Sequence, residues 1–189
     1  HTLGGGVPNV NQGMGRAIDR ILSLPQPERH ADQRTVINVA MVRSGSVFNH
    51  KPETGWFSLD VRSLSSAVIE EIENDVRGIL DEVSGSTRID FEMEPYQQMP
   101  GGQIEGAVDS DLVRTSADIA RHLGLQPNLS NAGSANLNVA IAAGTPAIGL
   151  GGERGGARGQ ADEWADIPAM LRSARHVFLL AVTLGRAHE

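Results

Sequence analysis

Hydrophobic positions in the first half of the chain switch between helical and strand periods. From Asn11 to Leu24, Met14, Ile18, Ile21 and Leu22 recur at helical spacing, and the pattern stops at "PQP", where proline cannot continue a helix. Thr35 to Arg43, "TVINVAMVR", is rich in β-branched residues and predicts a strand. After a Pro-containing turn comes "GWFSLDVR", in which Phe57, Leu59 and Val61 alternate with Trp56, Ser58, Asp60 and Arg62. Period 2 packs the first three and leaves Asp60 and Arg62 on the opposite face. Ser65 to Ser84 carries Ile69, Ile72, Val76, Ile79, Leu80 and Val83 on one helical stripe. "TRIDFEME" alternates again and predicts a strand burying Ile89, Phe91 and Met93. With a short strand or loop before the first helix, the order is (β)αββαβ, the split βαβ or ferredoxin-like plan.

"MPGGQIEG", Met99 to Gly106, forms turns and lacks apolar periodicity, so it divides the chain into 1–100 and 101–189. The second part predicts a helix around Asp109 to Leu123, a short segment at Pro127 to Ser130, a helix near Ala135 to Ala143 and an apolar strand, "PAIGL". A last helix starts near Asp166, an N-cap, with Pro168 in its first turn. Met170, Leu171, Ala174, Val177, Phe178, Ala181 and Val182 form its apolar face. Helices alternating with short strands indicate α/β organisation, but with too few strands for a complete sheet.

Composition narrows the function classes. Asp+Glu 23 against Lys+Arg 16 gives a formal charge of -7, which argues against nucleic acid as a partner, since phosphate binding needs clustered Lys and Arg. No apolar run in the linear sequence approaches the length of a bilayer span, so no membrane partner is expected. Without cysteine there are no disulfides and no thiolate metal sites.

"GLGGERGGARGQADEW", Gly149 to Trp164, is the most unusual stretch. A dinucleotide fingerprint needs glycine at the first, third and sixth places of a strand-to-helix turn. From Gly149 the third place is Gly151, but the sixth is Arg154, and the lysine of a phosphate-binding loop is missing. A glycine loop with solvated arginines fits the composition better than a phosphate cradle.

Read together, four stretches point elsewhere. "HTLGGGVPN…GRAI", "GSVFN…GWFSLDVRS", "GSANLNVAIAAGTPAIGLGG" and "ADEWADI" occur in an order and spacing that resembles the zinc exopeptidase and deacylase family of carboxypeptidase G, tripeptidase T, succinyl-diaminopimelate desuccinylase and aminoacylase. The resemblance implies a ferredoxin-like βαββαβ lid, or dimerisation, domain over 1–100, followed by the C-terminal part of an α/β catalytic domain over 101–189. It implies a homodimer through the lid and hydrolysis of an amide bond in a small peptide or N-acyl amino acid. It also implies two zinc ions in the full-length protein, on ligands expected to precede His1.

Site residues carry over position by position. His1 resembles the lid histidine that reaches the partner subunit's active site and hydrogen-bonds the scissile carbonyl as charge develops on its oxygen. A histidine at a chain end is otherwise an ordinary exposed residue. Asn49 resembles a substrate-contacting asparagine in a turn, a position that suits asparagine in any case. Arg62, in "DVR", matches an arginine that grips a substrate carboxylate, for which the guanidinium fork is well shaped. The alternative is a strand arginine paired with Asp60. Gly133 and Ser134 fall where the family lines its substrate pocket, or form a helix entry with Ser as N-cap. Two positions depart from the family: Asn136 replaces a common aspartate, and Gly159 stands where a histidine ligand is expected. Glycine offers no donor and Arg158 is a permanent cation, so no metal ligand is assigned in this chain. The resulting expectation is a hydrolase fragment inactive by itself; the alternative is a dimerisation or binding protein that has lost catalysis.

Overall fold

The computed structural model describes residues 5–25, 34–130, 135–151 and 154–186, the last with its backbone alone. The chain forms two compact units, His1–Gln98 and Met99–Glu189.

In the first unit, Asn9 caps helix α1 (Val10–Leu22), its side-chain oxygen accepting the Asn11 N–H at 3.0 Å. Val10, Gly13, Met14, Ala17 and Ile21 line the buried face of α1, whereas Leu22 at its end is half exposed. Strands β1 (Val36–Asn38), β2 (Val42–Ser44), β3 (Gly55–Phe57) and β4 (Asp60–Arg62) follow. Helix α2 (Ser66–Thr87) buries Val68, Ile72, Val76, Ile79, Leu80 and Val83, and ends where Arg88 turns left-handed at φ 58°. These residues, with Ala17 and Ile21 of α1, form the core, and Ile37, Phe57, Leu59 and Val61 of the strands pack against it. The predicted alternation of Phe57, Leu59 and Val61 toward the core is therefore observed.

The four strands form one interrupted antiparallel hairpin. Val36 opposes Arg62 and Asn38 opposes Asp60, whereas Val42 opposes Phe57 and Ser44 opposes Gly55. Residues 39–41 thus face only 58 and 59, one extra residue on the first strand, which is a β-bulge. Ser58 secures it: its N–H donates to the Met41 carbonyl at 2.9 Å, and its hydroxyl accepts the Met41 N–H at 3.0 Å. No backbone donor of Met41 is left unpaired there.

The predicted strand at "TRIDFEME" keeps its alternation without a ladder. Ile89 is buried and Phe91 and Met93 pack against the core, while Arg88, Asp90, Glu92 and Glu94 are exposed. No strand is assigned to 88–94. Side-chain burial holds this segment, together with the Arg88 guanidinium, which donates to the Gly6 carbonyl at 3.1 Å. Ile89 sits so close to α1 that a Cβ on Gly13 would lie 2.9 Å from its Cγ1. The described residues form a mixed α/β unit of two helices against small antiparallel sheets, the lid-type arrangement the resemblance implied.

The second unit contains a short 3₁₀ turn (Ala107–Asp109), helices α3 (Asp111–His122), α4 (Leu137–Ala142) and α5 (Ile167–Arg186), and strands β5 (Gly155–Gly156) and β6 (Trp164–Ala165). Ser110 caps α3 by accepting the Val113 N–H at 3.4 Å. Asp166 caps α5 by accepting the Ala169 N–H at 2.8 Å, as predicted for that residue. "PAIGL" forms no strand: Ala147, Ile148 and Leu150 are half-buried, but no strand is there to pair with them among the described residues.

Helix α5 turns the other way from expectation. Ala169, His176 and Leu180 are buried, with Ser173 half-buried between them, and this narrow face packs on α3. Met170, Leu171, Val177 and Phe178 are exposed, Phe178 by 66%. The expected core face is a solvent-facing apolar stripe, because α3 offers small residues, Ser116 and Ala120, at the contact. Ile167–Gly185 has a mean hydropathy of 1.3, and is long and apolar enough by length and composition to cross a membrane. That corrects the linear reading, although Arg172 and Arg175 interrupt the segment.

Candidate functional site

Arg62 ends β4, opposite Val36, with Asp60 two residues earlier on the same outer face. Its Nε donates to Asp60 Oδ1 at 3.1 Å and Oδ2 at 3.0 Å, and its Nη2 lies 2.9 Å from Oδ2. One edge of the guanidinium is therefore engaged, and a carboxylate ligand would approach the Nη1 and Nη2 end. With side-chain exposures of 63% and 47%, the pair is solvated, so it contributes about 0–1 kcal/mol to stability. The alternative read from the sequence, a strand arginine paired with Asp60, is therefore observed.

Asn49 lies half-buried in the loop between β2 and β3. The His50 N–H donates to the Val47 carbonyl at 3.2 Å, so Phe48 and Asn49 are the central residues of a tight turn. Phe48 is 99% exposed at its tip. The loop is tied to the start of the unit: Lys51 Nζ donates to the Val7 carbonyl at 3.0 Å, and the Ser44 hydroxyl pairs with Asn11 Oδ1. Asn49 and Arg62 occupy opposite ends of the hairpin, on the order of 20 Å apart by the strand rise of the residues between them.

His1, Gly133 and Ser134 lie outside the described residues. Asn136 is exposed at the start of α4 and makes no side-chain cap bond. Gly159 has a positive φ of 76°, and a Cβ added there would meet nothing within 4 Å. Its N–H donates to Glu163 Oε2 at 3.0 Å. The residues around it do not fit a zinc-ligand role: Gly159 has no donor side chain, Arg158 is cationic, and the Glu163 carboxylate is turned onto the loop's own backbone. Among the described residues, no three His, Asp or Glu side chains gather where they could hold an ion.

Sequence reasoning missed one buried polar pair. Ser116 Oγ and His176 Nε2 lie 3.0 Å apart between α3 and α5, each under a tenth exposed. The signal was available at Ser116, which shares a helical stripe with Val113 and Ala120 and so had to be buried.

Residues 3–88 match the family described as the peptidase dimerisation domain. No curated protein matches the sequence. The fold is similar to the YxeP protein of Bacillus subtilis, described as a dinuclear metal-binding peptidase from the M20 family, at a TM-score of 0.59 and 16% identity. That alignment covers 95% of this chain and 47% of YxeP. It is similar also to aminopeptidase PepT from Bacillus cereus, at a TM-score of 0.59 and 14% identity, over 92% of this chain and 44% of PepT. The chain thus spans about half the length of the solved structures it matches.

Proposed function

Residues 3–88 match the dimerisation domain of M20-type metallopeptidases, and from that premise we propose that this chain is the lid of a zinc-dependent exopeptidase or N-acyl amino acid deacylase, joined to the C-terminal part of its catalytic domain. The lid takes 1–100 and the catalytic part 101–189. The full-length protein cleaves an amide bond in a small substrate that carries a carboxylate. The family match over 3–88 is the observation that carries this reading.

Each residue has a binding or orienting task. Arg62 takes the substrate carboxylate on its Nη1 and Nη2 end while Asp60 holds the other edge. Asn49 donates from the loop, His1 hydrogen-bonds the carbonyl oxygen as charge develops on it, and Gly133 and Ser134 line the pocket. The separation of Asn49 from Arg62 supports a homodimer through the lid, in which the two serve one substrate from different protomers. Two zinc ions, held by ligands that this chain does not supply, would polarise the carbonyl and acidify bound water. The chain alone turns over nothing, and its partners are a second copy and a small substrate, without nucleic acid.

The second reading is a dimerisation or binding protein without catalysis. Gly159 and Asn136, standing where the resemblance places a histidine ligand and an aspartate, favour it. An assay of the zinc-loaded full-length protein on short peptides and N-acyl amino acids decides between the two. Turnover of either substrate class supports the hydrolase; a zinc-loaded dimer that binds these compounds without cleaving them supports the second reading.

A further inference from the structure

The glycine-rich stretch after Arg154 is a closed hairpin. Gly155 opposes Ala165, and Gly156 opposes Trp164. The connection, residues 157–163, makes two successive turns, closed by the Gln160 N–H to the Ala157 carbonyl at 2.8 Å and the Glu163 N–H to the Gln160 carbonyl at 3.2 Å. At the base, the Asp166 N–H donates to the Arg154 carbonyl at 3.0 Å. The Trp164 indole covers Gly156 so closely that a Cβ there would lie 2.5 Å from Nε1. Across the middle, the Glu163 carboxylate accepts the Gly159 N–H at 3.0 Å.

This last contact is charge-assisted, which makes it stronger than a neutral bond of the same length. It also engages one oxygen of a carboxylate four residues from the position where the resemblance expects a metal ligand. We infer that the Glu163 carboxylate, rather than a metal ion, fixes the β5–β6 loop, and that the loop offers an incoming ion no side-chain ligand at position 159. The inference is independent of whether Arg62 grips a substrate, and of whether ligands elsewhere in a longer protein hold zinc.

Hydrogen exchange of the Gly159 amide and the fluorescence of Trp164 test it on the whole chain. In the unmodified protein, neither stoichiometric zinc nor a chelator changes either signal. Glu163→Ala accelerates Gly159 exchange about three- to tenfold, the effect of a charge-assisted bond trimmed by solvent exposure. Glu163→Gln, which keeps a carbonyl oxygen, falls between the two. Zinc that slows Gly159 exchange in the unmodified chain overturns the inference, and that arm needs no variant to fold. An unchanged exchange rate in a folded Glu163→Ala protein overturns it as well.

Discussion

Arg62 donates its Nε to both carboxylate oxygens of Asp60, so one edge of the guanidinium is engaged while the end that carries Nη1 points away from the pair. Because both groups are exposed on the outer face of β4, Arg62→Ala leaves stability within about 1 kcal/mol of wild type. On the proposed hydrolase reading, the same change in the full-length protein lowers kcat/KM on a carboxylate substrate by roughly ten- to hundredfold, equivalent to about 1.5–3 kcal/mol for a lost charged contact. Arg62→Lys recovers little, since an ammonium lacks the fork. An amide analogue of the substrate is the control. Equal losses on carboxylate and amide would show that Arg62 acts by another route.

The proposed lid dimer can be tested with Asn49 and Arg62 together. Asn49→Ala and Arg62→Ala homodimers are each impaired. Mixed and re-associated in equal amounts, they regain about a quarter of wild-type activity if each site takes Asn49 from one protomer and Arg62 from the other. That value follows from half of the dimers being mixed, each with one intact site. Mixing that restores nothing means that one protomer supplies both residues to a site, or that neither acts there.

Ser116 and His176 join α3 to α5 by a buried hydrogen bond. Ser116→Ala leaves a ring nitrogen buried without its partner, at a cost of about 1–3 kcal/mol. A lowered Tm in thermal unfolding of the chain checks this. A variant as stable as wild type would mean that water replaces the hydroxyl.

Gly13 marks the closest approach of α1 to Ile89. Helix propensity favours alanine there, but the added Cβ would meet the Ile89 side chain at 2.9 Å. Gly13→Ala therefore destabilises the first unit, by about 1–3 kcal/mol of overpacking, against the direction that propensity predicts. Urea unfolding measures the sign directly.

The two long helices of the first unit were legible because their apolar residues recur at 3.6-residue spacing over several turns. The outward placement of Asp60 and Arg62 followed from the period of 2 in "GWFSLDVR". Helix α5 shows where pattern stops being informative. Its start at Asp166 was written in the cap, but its packed face was set by what α3 presents. Ser116 and Ala120 accept a narrow face of Ala169, His176 and Leu180, not the broader stripe of Met170, Leu171 and Phe178. The segments at 88–94 and 146–150 have strand-like composition, yet a strand exists only with a partner to complete its hydrogen bonds. At the candidate site, the Arg62–Asp60 pair could be read from adjacency. The contact of Glu163 with Gly159 could not, because it depends on two turns folding the chain back on itself.

The bulge at residues 39–41 has a consequence for assembly. A strand with an unbroken row of backbone donors and acceptors is a template onto which any extended chain can add. The extra residue breaks that row into two three-residue tracts, each roughly 10 Å long. Its local twist aims the two tracts in different directions. Indiscriminate edge-to-edge growth into fibrils is discouraged, while a partner of matching curvature can still dock. Deleting Ala40 would realign the two tracts into a single register, and the resulting protein should aggregate faster than the native chain when its solutions are warmed.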